Sequence, residues 1–267
     1  MVKLVLSIAS LWLALCVSAT AAPAEIVSDT LTDLAPGGQL RAAINFGNPV
    51  LAQRDPDTGL AAGVSVALAR ELAWELGVPV VLVPFDEAGQ VVDALKSNAW
   101  DVAFLAVDPA RAGTIDFTAA YAMIEGTYLV PAASPLKRAE DVDRNGVRIG
   151  VAAGSAYDLY LSRSLKHAEL VRTADTAAAT DLFRRNQVDA LACIRQPLAD
   201  YARAHSDARV LDDDFMEIPQ AMGMPKGRPA GARFLRSFID EMKSTGFVAK
   251  AFGVSGQPDV IVPPREQ

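Results

Sequence analysis

Few side chains in this sequence have the type and spacing that chemistry requires. The only histidines, His167 and His205, fall in polar helical stretches without metal-ligand spacing and read as solvated helix residues. There is no Gly-x-Ser-x-Gly, no phosphate loop ending in Lys-Ser/Thr and no Gly-x-Gly-x-x-Gly after a strand, so nucleophilic hydrolysis and nucleotide binding have no foothold. Asp212-Asp213-Asp214 lacks EF-hand spacing and reads as a solvated loop. Hydrogen-bonding groups also stand just past two apolar runs. Arg111 follows the run Asp101–Ala106, and a guanidinium's planar fork can hold a carboxylate with two parallel bonds. Its alternative is a surface pairing with Asp108 or Asp116. Gly154-Ser155 leads from an apolar run into a helix, offering N–H groups and a hydroxyl at the positive end of the helix dipole to an anionic group. A plain N-cap role for Ser155 is compatible with that use.

These groups need a scaffold, and the N-terminus shows where it is built. Lys3 precedes an apolar run from Leu4 to Val17, and small residues at Ala19 and Ala21 precede Pro23. The run is too short to span a bilayer, so residues 1–21 are predicted to be a cleaved export signal and the mature chain a soluble periplasmic protein. Removing that segment takes away Lys3 and shifts the formal net charge from −7 to −8. An acidic chain without a basic stripe excludes nucleic acid as a natural partner. About 246 residues remain, enough for one large or two modest buried cores. Cys193 is then the single thiol, expected to be buried and inert on a strand. No cofactor is predicted, and the protein is expected to be a monomer.

The mature chain alternates short β-branched runs with amphipathic stretches, an α/β signature. Leu40–Phe46 reads as a strand; Val64, Leu68, Leu72 and Leu76 lie on one helical face that stops at Gly77 and Pro79; Val80–Val83 is the next strand. Val91, Val92 and Leu95 mark a helix before the strand Asp101–Ala106. The order restarts after Pro135, with strands Val147–Val151 and Val188–Ile194 and helices Tyr157–Leu165 and Asp175–Arg185. Such βαβ order implies parallel sheets covered on both faces. An internal echo joins the units: Leu95-Lys96-Ser97-Asn98-Ala99-Trp100-Asp101 aligns without gaps on Phe183-Arg184-Arg185-Asn186-Gln187-Val188-Asp189. In each, a helix turns at Asn, which tolerates the left-handed conformation, and a strand begins at Asp. The echo fits either common βαβ grammar or two similar lobes.

In these features the chain resembles the family 3 extracellular solute-binding proteins of bacterial ABC importers, over nearly all of its mature length. The resemblance is carried by Trp100-Asp101-Val102-Ala103-Phe104, Asp108-Pro109-Ala110-Arg111 and Ile115-Asp116-Phe117-Thr118 with Tyr121 and Gly126. Val151-Ala152-Ala153-Gly154-Ser155, Gly223-Met224-Pro225-Lys226-Gly227 and the helical C-terminus through Phe252 extend it. It implies a two-lobed, type II periplasmic-binding-protein-like α/β fold, with two parallel-type sheets, flanking helices and a two-strand hinge. Lobe 1 would comprise residues 22–126 and 224–267, and lobe 2 residues 127–223, with hinge strands near Thr127–Pro131 and Ala221–Pro225. Ligand would lie between the lobes, and the closed form would be read by a membrane ABC permease.

The resemblance also implies a contact set. Asn45, Phe46, Asn48, Ala106 and Arg111 would come from the first lobe, with Arg111 gripping a carboxylate; Gly154, Ser155, Ala156 and Tyr157 would come from the second. Phe46 reads equally as core. Glu125, beside the hinge, could reach the cleft. The sequence departs from the family where an acidic residue usually holds a ligand's ammonium group: after Val188-Asp189-Ala190-Leu191 stands Cys193-Ile194-Arg195-Gln196-Pro197. Arg195 either faces the cleft, favouring a ligand with two acidic groups or no amine, or is solvated or neutralised by Asp158 or Asp200. The expected ligand is thus a small carboxylate-bearing solute, an amino acid or related organic acid. The same fold also carries enzymes of the cyclohexadienyl dehydratase type, for which Glu125 or Asp108 would be the general acid or base, and ligand-sensing subunits of membrane receptors.

Overall fold

The computed structural model describes residues 28–264, so the expected export signal lies outside the described residues. After α1 (Ser28–Leu34), the first block runs β1 (Leu40–Asn45), a small hairpin of β2 (Gln53–Arg54) and β3 (Ala61–Ala62), α2 (Val64–Glu75), β4 (Val80–Phe85), α3 (Ala88–Asp93), β5 (Val102–Ala106) and the single-turn α4 (Pro109–Ala112). The predicted stripe Val64, Leu68, Leu72 and Leu76 is buried, which is what docks α2 on the sheet. A long strand, β6 (Ile115–Pro131), leads to the second block: β7 (Arg148–Ala152), α5 (Ala156–Ser164), β8 (Glu169–Thr173), α6 (Thr176–Arg184), β9 (Ala190–Ile194), α7 (Arg195–Ala204) and β10 (Ala208–Val210). The chain returns through β11 (Met216–Pro225) and ends in α8 (Pro229–Ser244) and α9 (Phe247–Val254).

The strands form one nine-stranded sheet in the order β4-β1-β5-β11-β6-β9-β7-β8, with β10 on β6. The outer trios, β4-β1-β5 and β9-β7-β8, are parallel as predicted. They are not separate sheets, however, because the antiparallel pair β6–β11 is long enough to hydrogen-bond to both. Gln220–Gly223 of β11 pairs with β5, and Gly126–Leu129 of β6 pairs with β9. The rungs left between the blocks are Met123–Glu125 against Glu217–Pro219. This places the crossing a few residues away from the expected hinge segments, Thr127–Pro131 and Ala221–Pro225. Those segments pair instead with the second and first blocks, because β6 extends over 17 residues.

The sequence echo is a structural repeat. Asn98 and Asn186 are the non-glycine residues with positive φ among those described, at 50° and 56°. Each closes the turn before a strand, and the aspartate that follows is held by an arginine on the adjacent parallel strand. Asp101 accepts from the backbone N of Arg41 (3.0 Å) and its Nε (2.9 Å), while Asp189 accepts from the same groups of Arg148 at 2.9 and 3.1 Å. Arg41 Nη1 also reaches the Asn98 carbonyl, and Arg148 Nη2 the Asn186 carbonyl. Each aspartate N–H returns a bond to its arginine's carbonyl at 2.8 Å. Pairing of β1 with β5, and of β7 with β9, is thereby fixed at one end by the same charged staple.

The two staples differ in burial, which sets their worth. The Asp101 side chain is fully buried, whereas Asp189 is 41% exposed. Asp101→Ala removes a fully buried acceptor from the part-exposed Arg41 and is expected to cost about 1.5–3 kcal/mol. Asp189→Ala is expected to cost about 1 kcal/mol or less. Urea denaturation of both variants checks the difference.

Candidate functional site

The carboxyl ends of β1, β4, β5, β7 and β9 converge on one side of the β6–β11 crossing, where open α/β sheets hold ligands. The cleft there, together with the open solvent at its mouth, holds about 420 Å³ free of protein atoms. Its first-block wall comprises Asn45, Gly47, Asn48, Glu87, Ala88 and, at the end of β5, Leu105, Ala106 and Arg111. The facing wall comprises Ser155, Ala156, Tyr157 and Ile194, and Ile218 and Gln220 of β11 form the floor.

Arg111 is delivered by α4, whose N-terminus is set by Asp108: the side chain of Asp108 accepts from Ala110 N at 2.8 Å, with Pro109 in the first turn. The guanidinium is 2% exposed. Nη1 donates to the Ala106 carbonyl (3.0 Å), and Nη2 crosses the cleft to the Gly154 carbonyl (2.9 Å). Nε is buried without a hydrogen-bond partner. Neither the Asp108 nor the Asp116 carboxylate pairs with the Arg111 guanidinium; the Asp108 carboxylate is engaged by Arg163 of α5 at 2.8 Å, a second link across the cleft. Burial lowers the Arg111 pKa to about 10, opposed by the nearby charge of Asp108, so the group remains cationic at neutral pH. The result is a buried positive charge on the cavity wall that no carboxylate among the described residues touches.

The opposite wall is the start of α5. Gly154 has φ +70°, and Ser155 is an N-cap whose Oγ accepts from Asp158 N at 3.1 Å. Gly154 N is taken by Asp158 Oδ2 (2.8 Å), so part of the helix's positive end is already answered within the protein. Tyr157 Oη lies 3.3 Å from Thr176 Oγ1 and 3.7 Å from Cys193 Sγ. Cys193 stands on β9, buried as predicted.

Of the expected contact set, Asn45, Asn48, Ala106, Arg111, Ser155, Ala156 and Tyr157 lie on the cavity wall. Four do not. Phe46 follows wall-lining Asn45, packs on the core and carries the Arg54 guanidinium 4.2 Å above its ring. Gly154 contributes only its carbonyl, through Arg111. Glu125 and Arg195 bind each other away from the cavity. Arg195 spends its remaining donors on the carbonyls of Leu211 (3.0 Å) and Asp212 (3.1 Å), so it neither faces the cleft nor pairs with Asp158 or Asp200. Asp108 and Glu125, the carboxylates considered for acid–base chemistry, are both engaged elsewhere.

Sequence reasoning missed Glu87. It stands two residues past the end of β4 and is 5% exposed, and its Oε1 accepts from Thr176 N (2.8 Å) and Oγ1 (3.0 Å) at the start of α6, on the other side of the cleft. Burial raises its pKa; the Thr176 hydrogen bonds oppose this, while Asp175 and Asp86 add to it. Its position just past a strand end was the available signal, the same one that marked Arg111.

The sequence profile of the bacterial extracellular solute-binding proteins, family 3, matches residues 40–252, and the chain belongs to that family. No curated protein sequence was found to match it. Among solved structures, the cysteine-binding protein from Campylobacter jejuni is 22% identical, with a TM-score of 0.74, over 88% of this chain and 99% of that one. The L-arginine-bound substrate-binding protein AbpA of an amino acid ABC transporter from Streptococcus pneumoniae is 20% identical (TM-score 0.71; 83% and 98% covered). The ancestral amino acid-binding protein AncCDT-1, described as a precursor of cyclohexadienyl dehydratase, is 25% identical (TM-score 0.71; 84% and 98%). The fold is the type II periplasmic-binding-protein-like fold, and the protein is a solute-binding protein.

Cys193 provides a check on how tightly the second wall is packed. Its pKa is raised to about 11, chiefly by burial. Reaction with a thiol reagent at pH 8 is expected to be absent in the folded protein and complete in denaturant, followed by absorbance of the released chromophore.

Proposed function

We propose that this protein is the periplasmic substrate-binding component of an ABC importer, and that it captures a small carboxylate-bearing solute between two lobes. The lobes would be residues 22–126 with 224–267, and residues 127–223, moving about the β6–β11 crossing. The observation that carries this reading is the buried guanidinium of Arg111. Its Nε lacks a partner, and an anionic ligand would supply the charge-assisted bond the protein does not. Ser155 and the first N–H groups of α5, which have no intrahelical partners, would face the same ligand. No described helix is long and apolar enough to cross a membrane. The amino acid ligands of the related structures support the same ligand class.

Closure is supported by contacts that join the blocks: Arg111 to Gly154, Arg163 to Asp108, and Glu87 to Thr176. Between them, Gly89 of α3 faces Gly154 so closely that a Cβ on Gly89 would lie 3.0 Å from the Ala153 carbonyl. A second reading, an enzyme acting on a cyclic acid, draws on Glu87, a cleft carboxylate whose raised proton affinity suits a general acid, and on the likeness to AncCDT-1. Product formation from prephenate or arogenate distinguishes the two.

A thermal-shift screen of refolded protein against amino acids, dicarboxylates, keto acids, sugars and cyclic acids tests the binding reading. A ligand at about 100 times its Kd adds about 2.7 kcal/mol to the native state. Arg111→Ala is expected to keep a cooperative unliganded melt and lose that increment; retained binding by the variant sinks the carboxylate clamp. Gly89→Ala is expected to leave unliganded stability nearly unchanged and to weaken binding roughly fivefold or more, because the added methyl obstructs the approach of the walls. Titration calorimetry reads that loss.

A further inference from the structure

We infer that Glu87 is the residue that reads a ligand's ammonium group, and that it ties this recognition to the joining of the two walls. The inference rests on the binding function proposed above. Arg111 and Glu87 are the two charged residues on the cavity wall, of opposite sign and both buried. Such a pair complements a zwitterion, with the ligand's carboxylate toward Arg111 and its cationic nitrogen toward Glu87.

The two carboxylate oxygens have divided tasks. Oε1 accepts both Thr176 bonds across the cleft. Oε2 takes no hydrogen bond from the described residues and lies over Gly47, another wall residue, where a Cβ would come within 2.7 Å of it and within 2.4 Å of the Asp86 carbonyl. Gly47 therefore keeps open the space into which Oε2 projects. No acidic residue stands immediately after β9: the first position there, Arg195, is turned away to Glu125. Glu87 places the missing acid on the opposite wall. Because its other oxygen grips the N-terminus of α6, a cation that fixes the carboxylate also fixes the cross-cleft bond.

The test compares the tightest-binding standard amino acid with its des-amino counterpart, for example L-cysteine with 3-mercaptopropionate or L-glutamate with glutarate. Binding is measured by calorimetry on wild type, Glu87→Gln and Thr176→Val. Gln keeps an Oε1 acceptor for Thr176 but removes the charge, and Thr176→Val removes one cross-cleft bond while keeping Glu87. The expected result is that wild type prefers the amine-bearing member and that Glu87→Gln loses roughly 10- to 100-fold on it. The des-amino acid should be bound by Glu87→Gln nearly as by wild type, and Thr176→Val should weaken both ligands alike. Equal losses on both ligands in Glu87→Gln would make the residue a latch only and overturn the inference. So would a wild type that prefers the des-amino acid, although the carboxylate-binding function would stand. A wild type that binds no acid at all overturns the function and the inference with it. An unfolded Glu87→Gln, seen by circular dichroism, is replaced by Glu87→Asp, for which a loss confined to the amine-bearing ligand is again required.

Discussion

The cleft depends on one electrostatic fact: a guanidinium is buried where no carboxylate touches it. Taking the Arg111 charge out of water is costly, and the two carbonyls that meet it, from Ala106 and Gly154, are neutral. The protein tolerates this because the side chain is anchored at several levels. Asp108 caps the turn that carries it, β5 delivers that turn from a fully buried strand, and the Asp101–Arg41 staple holds the other end of β5 to β1. Each support acts on backbone position, which leaves the guanidinium's own Nε unpaired. A structural arginine in the same core would be expected to end on an acid.

The repeat of the staple in the second block shows how the two walls come to be alike. In both, an Asn in the left-handed conformation ends a helical turn, and an Asp binds an Arg on the neighbouring parallel strand. The next strand then runs buried toward the cleft. Asn98 with Asp101 and Asn186 with Asp189 are therefore the same local solution used twice. It sets the register of the β1–β5 and β7–β9 pairs, and through register it decides which residues emerge at the strand ends. Ala106 on one side and Ile194 on the other are the products of that common geometry.

Much of this was legible in the sequence, because hydrophobic periodicity and turn chemistry are local. The stripe of α2, the buried strands β5 and β9 and the Asn turns followed from spacing, whereas the positions of Arg111 and Ser155 at the cleft followed chiefly from the family resemblance. What was not legible depended on partners far apart in the chain. Arg195 could not be placed without knowing that Glu125, 70 residues earlier, lies beside it on the crossing strand. Glu87 was passed over because its carboxylate gains meaning only from Thr176, 89 residues on. The single-sheet connectivity was hidden for a similar reason: a run of 17 extended residues in β6 does not announce which neighbours it serves at each end. β8 and α7, which lack a strong apolar pattern of their own, take their form from the blocks they edge.

The contacts across the cleft bear on how such a protein could bind and release. They are polar or between glycines: one guanidinium–carbonyl bond, one half-exposed ion pair, one carboxylate on a helix start, and the Gly89–Gly154 approach. Such groups can exchange the protein for water at modest net cost, about 0.5–1.5 kcal/mol for an ordinary hydrogen bond, whereas an apolar seam of similar extent would resist parting. Arg111 Nε is buried here without a partner, a penalty of about 1–3 kcal/mol for a buried unsatisfied group and more for a charged one. On the proposed reading these terms act together. Weak polar links make the joined state reachable, and the orphaned charge makes it unfavourable until an anion fills the gap. The ligand's differential affinity for the joined state can then govern the equilibrium. A cleft that paired Arg111 with its own acid would gain stability and lose that dependence.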